Sequence, residues 1–182
     1  MSHIERVTRE SRIDVDLSLA AGAIDVVTGR PFLTHMLQTL ARYAGWSLHL
    51  RANGDLAHHE IEDTAIALGA ALRTAAPAAR QRYAHSVVPM DDALVEVAVD
   101  AGDRFYYRGP LPSSLYHHWM RSFAEHAGLT LHVTVRRGQD RHHIVEAAFK
   151  ALGLALSQAL RPVTDVVSTK GAVELRIANE VS

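Results

Sequence analysis

The sequence of this chain contains a copy of itself. Ala41-Arg42-Tyr43-Ala44-Gly45-Trp46-Ser47-Leu48-His49-Leu50 aligns with Ala124-Glu125-His126-Ala127-Gly128-Leu129-Thr130-Leu131-His132-Val133 at an offset of 83, with five identities. The same offset pairs Phe32 with Leu115, His35 with His118, Met36 with Trp119, Leu37 with Met120 and Leu40 with Phe123. After one inserted residue the offset becomes 84 and pairs His58-His59 with His142-His143, Glu62 with Glu146, and Leu68-Gly69-Ala70-Ala71-Leu72 with Leu152-Gly153-Leu154-Ala155-Leu156. Correspondence over this length exceeds chance, so the chain reads as two copies of one unit, residues 1–92 and 93–182, which together make one compact domain.

Within a copy the expected order is strand, strand, helix, strand, helix. Residues 12–19 alternate polar and apolar as a half-buried strand does, and 93–100 are the partial counterpart. Residues 32–44 and 115–127 have amphipathic helical spacing, and Gly45 and Gly128 close them. Residues 47–51 and 129–135 read as strands. Ile61, Ala65, Leu68 and Leu72, and again Val145, Phe149, Leu152 and Leu156, mark the apolar stripes of second helices. The expected fold class is α+β: two tandem half-domains, each a β-sheet packed by helices on one face.

Composition narrows the chemistry. With 182 residues, 48% of them apolar, the chain can bury a core without cross-links, and it has no Cys with which to form any. Thiolate zinc sites, iron–sulfur clusters and cysteine nucleophiles are excluded, so any metal must bind nitrogen or oxygen. A formal charge of −1 provides no long-range attraction for nucleic acid or an anionic membrane. The start of the chain lacks an apolar leader and no apolar run is long enough to span a bilayer, so a cytoplasmic protein without nucleic-acid or membrane partners is expected.

Twelve His stand out, several in adjacent pairs. His-His-x-x-Glu occurs twice, as His58-His59-Glu60-Ile61-Glu62 and His142-His143-Ile144-Val145-Glu146, each opening a helix. On a helix the first His and the Glu share a face, while the adjacent His diverge by about 100°. Two neighbouring His cannot easily serve one ion, so each pair should address two metals, and the doubled motif suggests a two-metal site built from both copies. His35 and His118, at equivalent helical positions upstream, complete a set of six imidazoles and two carboxylates. A single His on a helix surface is ordinarily a solvated residue, but eight potential ligands repeated in both copies point to metal. His49 and His132 also match between copies, yet they alternate with apolar neighbours in strands and read as structural or as supports for ligands. His3, His85, His117 and His126 have no His counterpart and read as surface residues. Such a donor set suits Zn, Mn, Fe, Co or Ni.

These residues, with Phe32-Leu33-Thr34-His35-Met36-Leu37, Pro89-Met90-Asp91-Asp92-Ala93-Leu94, His142 to Lys150, and Ser168-Thr169-Lys170-Gly171, resemble imidazoleglycerol-phosphate dehydratase of histidine biosynthesis. The resemblance runs from Arg6 to about Glu174. It implies a duplicated unit related to domain 2 of ribosomal protein S5, two manganese ions per active site, and assembly into large homo-oligomers of octahedral symmetry with sites where subunits meet. By the same resemblance His35, His58, His59, Glu62, His118, His142, His143 and Glu146 are the metal ligands. Glu10 contacts substrate and is the candidate for proton transfer, while Arg82, Arg104, Lys150, Ser168 and Lys170 bind substrate, chiefly its phosphate. The implied reaction removes water from D-erythro-imidazole glycerol phosphate to give imidazole acetol phosphate. The proton lost sits on a carbon with no adjacent carbonyl, and metal coordination of the substrate imidazole would help to expel the neighbouring hydroxyl.

The chain departs from the family pattern in places. Thr34 stands where the family usually has Asp, Glu60 where it has Thr, and Asp140-Arg141 where it has an Asn-x pair; the segment from Asp55 to His58 is short. Ala79-Arg80 replace a Gly-Ile, and Asp103 and Phe105 flank Arg104 in place of Gly and Pro. Two other readings are a diverged paralogue acting on a related imidazole phosphate, and a non-catalytic assembly module cemented by metal. Glu10 and the basic residues argue against the second, because a structural metal needs no phosphate-binding cluster.

Overall fold

The computed structural model describes residues 1–164, which form two four-stranded sheets with four helices between them. Sheet one holds β1 (Ser2–Val7), β2 (Ser11–Ser18), β3 (Ile24–Val27) and β4 (Ser47–Gly54) in the order β1-β2-β4-β3. Sheet two holds β5 (Tyr83–Met90), β6 (Ala93–Asp100), β7 (Tyr106–Arg108) and β8 (Thr130–Arg137) in the order β5-β6-β8-β7. In each sheet the short edge strand runs parallel to its neighbour and the other pairings are antiparallel. The fold is therefore α+β, as expected.

Two details differ from the expectation. Each copy has a further short strand, β3 or β7, of four and three residues. Such segments are too short to display an alternating pattern, and they are strands because β4 or β8 supplies hydrogen bonds along one side. The division between copies also moves. β5 pairs with β6 from Tyr83↔Asp100 to Met90↔Ala93, so it belongs to sheet two and not, as a boundary at Asp92 would require, to the first half. The connection between the sheets is the stretch 76–82 that follows α2.

Helices α1 (Pro31–Ala44), α2 (Ala57–Ala75), α3 (Ser114–Ala127) and α4 (Arg141–Ala159) follow local chemistry. Pro31 opens α1, where a missing N–H costs nothing, and Gly45 and Gly128 close α1 and α3 in the left-handed conformation, with φ of 72° and 68°. Asp140 caps α4 by accepting from the His142 N–H at 2.7 Å. In β2 the inward residues Ile13, Val15 and Leu17 are fully buried, and Val95, Val97 and Val99 repeat the pattern in β6.

Helix pairing crosses the repeat. α2 lies on β1, β2 and β4, and α4 lies on β5 and β6, but α1 packs against α4 and α3 against α2. Gly69 and Gly153 permit these crossings: a Cβ on Gly69 would lie 2.8 Å from the Phe123 carbonyl, and one on Gly153 would lie 2.8 Å from the Leu40 carbonyl. Each copy thus lends its first helix to the other, and the His and Glu expected as ligands on first and second helices meet across the halves. Among the described residues no helix is long and apolar enough to cross a membrane.

Candidate metal centre

Two groups of side chains form where the helices cross. His35 on α1 meets His142 and Glu146 on α4, with Glu146 Oε2 3.3 Å from His35 Nε2 and 3.2 Å from His142 Nε2. Its counterpart joins His118 on α3 to His58 and Glu62 on α2, with Glu62 Oε1 2.9 Å from His118 Nε2 and Glu62 Oε2 3.2 Å from His58 Nε2. In both, the i, i+4 spacing of His-x-x-x-Glu puts an imidazole and a carboxylate on one helix face, and the partner copy's first helix adds the other imidazole. The rings of His58 and His118 lie 5.0 Å apart and those of His35 and His142 6.4 Å. Phe32, one turn before His35, packs on the His142 ring at 5.0 Å and on Tyr116 at 5.1 Å.

The second His of each pair turns to another side of its helix. His59 Nδ1 lies 2.7 Å from Asp55 Oδ1 and 3.6 Å from Glu10 Oε2. His143 Nδ1 lies 2.7 Å from Asp92 Oδ1, and its Nε2 lies 3.4 Å from Asp91 Oδ2. The hydrogen bond to Asp55 raises the pKa of His59, and the one to Asp92 raises that of His143. Asp92 is held down at about 2 by the Gln139 N–H, the His143 ring and the Asp140 N–H. A carboxylate on Nδ1 fixes the ring and directs Nε2 outward, the usual support for a ligating imidazole. These Asp residues were missed by sequence reasoning. Asp55, four residues before His59, carried a helical-spacing signal, whereas Asp92 is 51 residues from His143 and meets it only through the β5–β6 turn.

Glu10 sits at the β1–β2 turn, exposed, in a hollow of about 370 Å³ lined by Thr8, Arg9, Asn53 and Asp55 among others. Its carboxylate faces the His59 side of α2. Arg82 and Arg104 lie elsewhere, at the end of β6: Arg82 donates to both oxygens of Asp100 at 2.6 and 3.0 Å, and Arg104 is 3.9 Å from Asp100. That fork raises the Arg82 pKa further. Arg80 joins the group through Asp103 at 2.7 Å. Lys150 is not with these arginines in the chain. Its Nζ lies 3.0 Å from Glu146 Oε1 and 3.5 Å from Met90 Sδ, at the far end of β5 from Arg82. Burial pushes the Glu146 carboxyl up, but hydrogen bonds from Lys150 and His35 outweigh it, and the net pKa is lowered. Ser168 and Lys170 lie outside the described residues. His49 and His132 are on the outward faces of β4 and β8. His117 and His126, expected at the surface, are half-buried and bonded to the carbonyls of Gly109 and Ser122.

The donor set fits a divalent ion. His118 Nε2 is shielded from solvent and makes no hydrogen bond, although the Glu62 carboxylate is 2.9 Å away. The two atoms face each other without hydrogen-bond geometry, and a cation between them would take a donor from each. Each group offers two nitrogens and an oxygen, which leaves coordination positions for further ligands.

Comparison with known proteins agrees with this architecture. The family model described as imidazoleglycerol-phosphate dehydratase matches residues 28–156. The imidazoleglycerol-phosphate dehydratase of Methanoculleus marisnigri is 43% identical over 94% of this chain and 98% of its own length, and that of an Anaeromyxobacter species is 42% identical over 92% and 91%. A crystal structure of the enzyme from Pyrococcus furiosus superposes with a TM-score of 0.87 at 36% identity, covering 93% of this chain and 100% of that one. The Staphylococcus aureus enzyme gives 0.80 at 30% identity, over 89% and 99%. On these matches the chain belongs to the imidazoleglycerol-phosphate dehydratase family of hydro-lyases.

Proposed function

We propose that this protein dehydrates D-erythro-imidazole glycerol phosphate to imidazole acetol phosphate in the histidine pathway of the cytoplasm, using two manganese ions. The observation that carries the reading is the duplicated His/His/Glu group, each drawn from both halves, with a solvent-shielded imidazole nitrogen that makes no hydrogen bond in one of them. One ion would be held by His35, His142 and Glu146 and the other by His58, His118 and Glu62. His59 and His143 face away from both groups in the same chain, braced by Asp55 and Asp92. Their direction supports a site completed by other copies, and with it a large homo-oligomer of octahedral symmetry.

When bound, manganese supplies Lewis-acid stabilisation of the substrate's imidazole in its deprotonated form. The chain's own residues do the rest. Glu10, exposed and unencumbered by a tight partner, is suited to move the carbon proton. The 76%-exposed Arg104 is suited to grip a phosphate, and Arg82, held through its Nε and Nη2 by Asp100, adds its charge nearby. Lys150 supports Glu146 within the chain. Its role in holding substrate, like those of Ser168 and Lys170, belongs to this proposal.

The decisive experiment is turnover of imidazole glycerol phosphate by purified protein, with elemental analysis of the same sample and complementation of a histidine auxotroph lacking this step. About two manganese per chain, turnover abolished by chelation and restored by manganese, and growth of the auxotroph are expected. A folded protein with unaltered activity and one ion or none would overturn the two-metal reading. Metal-bound protein that neither turns over substrate nor complements would favour the diverged paralogue or the assembly module.

A further inference from the structure

Glu60 is 1% exposed and has no part in the chemistry described so far. A carboxylate buried this completely is costly unless donors surround it. Its Oε1 accepts the Gly29 N–H at 2.5 Å, and its Oε2 lies 3.3 Å from Arg30 Nε. Both donors belong to the turn between β3 and α1, the helix that carries His35. Thr28 and Thr34 tighten that turn: the Thr28 N–H donates to Thr34 Oγ1 at 3.2 Å, the two hydroxyls are 2.9 Å apart, and the Thr28 hydroxyl donates to the Arg30 carbonyl at 2.9 Å. Space around Glu60 is full. A Cβ on Gly29 would lie 3.0 Å from Glu60 Oε2, and one on Gly54 would lie 2.9 Å from Glu60 Cβ. Turn, β4 and α2 are therefore in contact at this one residue.

The second copy solves the same problem differently. At offset 84 the residue equivalent to Glu60 is Ile144, which packs against Gly138. The loop before α3 is instead held by His117 Nδ1 on the Gly109 carbonyl at 2.6 Å. Among the described residues, it is in the first half that a side chain of the helix bearing one ligand group hydrogen-bonds to the turn that delivers the other.

We propose that Glu60 is a positioning residue that couples the two ligand groups, holding from α2 the turn that starts α1 and so fixing His35 against His142 and Glu146. This rests on the metal reading above. Glu60 lies between His59 and Glu62 on α2, so its backbone moves with one group. Through Gly29 and Arg30 it sets the first turn of α1, about one turn ahead of His35. Without it the start of α1 is released while α4 stays on sheet two, and the group that needs His35 loosens. The ligands on α2 keep their places, because Ile61, Ala65 and Leu68 anchor that helix in the core.

The test is competition between a chelator of known affinity and the manganese-loaded, full-length protein. Glu60→Gln should leave one ion retained as in wild type and weaken the other about 10–100-fold, the range seen when a ligand's support is removed. Arg30→Met, at a side chain 40% exposed, should weaken the same ion by less without endangering the fold. Thr34 Oγ1 already receives the Thr28 N–H, so a carboxylate at residue 34 would reach the same turn. Glu60→Thr with Thr34→Asp should then recover wild-type retention, which Glu60→Thr alone should not. Equal weakening of both ions, or of neither, or no recovery in the double variant, overturns the coupling. Wild-type protein that retains no manganese overturns the metal reading itself, so the two failures are distinct.

Discussion

Replacing Gly153 by Ala tests whether the helix crossings that assemble the ligand groups are as tight as they look. The new Cβ would lie 2.8 Å from the Leu40 carbonyl oxygen, 2.8 Å from Tyr43 Cβ and 3.0 Å from the Ala44 nitrogen. Two of these are backbone atoms of α1, and neither can swing aside, so α1 must retreat from α4. Overpacking of a core costs roughly 1–3 kcal/mol, and contact with fixed backbone belongs in the upper half, about 2–3 kcal/mol. Ala in place of Gly in a helix interior returns about 1 kcal/mol. The net loss is about 1–2 kcal/mol, or a melting temperature lower by about 2–8 °C for a chain of this size. Urea unfolding of metal-free protein, compared at one protein concentration because self-association would shift the midpoint, measures the loss. Because α1 carries His35, Gly153→Ala should also weaken manganese retention, and Gly69→Ala should do the same through α3 and His118. An unchanged or higher midpoint with an unchanged slope would mean that the helices have room, and the close approach would lose its explanatory role.

Three further outcomes are expected. Glu10→Gln, nearly isosteric but unable to accept a proton, should lower kcat by about 10²–10⁴ with little change in KM; an unchanged kcat removes Glu10 from the mechanism. Arg104→Ala should chiefly raise KM, and its KM should depend less on ionic strength than that of wild type; salt profiles that run parallel would place Arg104 outside the phosphate site. The folded pKa of Asp92, about 2, lies below its ordinary 3.8, so its contribution to stability is complete above about pH 4 and is lost as pH falls toward about 2. The stability gap between wild type and Asp92→Asn should therefore narrow over that window, and a gap independent of pH would deny the carboxylate its ties to residues 139–143.

The readable parts of this sequence were those with a period or a copy. Helices α1 and α3 were legible to within a residue, because Gly45 and Gly128 end amphipathic runs at matched positions. The six His and Glu of the doubled motif, with His35 and His118 upstream, were selected by repetition, and six of these eight meet in the two groups described. What escaped was set by partners distant in sequence. β3 and β7 are strands only because β4 and β8 lie beside them. The place of β5 in sheet two is a different case: at an offset of 83 residues 2–7 fall on 85–90, inside β5, so the repeat itself assigns that strand to the second copy against a boundary at 92, and the pairing with β6 bears this out. Asp92 finds His143 through a turn, and Lys150 turns to Glu146 because one helical turn separates them, a spacing visible in the sequence but outweighed by the basic character of the residue.

The exchange of first helices between halves also bears on descent. If the two copies arose by duplication, the ancestor was a single unit of about half this length, and its first helix had only the short edge strand of its own sheet to pack against. Two such units related by a two-fold axis would have supplied each other, just as α1 and α3 do within this chain. That symmetric pair would already have contained both His/His/Glu groups, identical to each other, before any fusion. Joining the units through a short connection preserved the pair and freed its members to diverge, which is how one copy could come to hold Glu60 where the other holds Ile144.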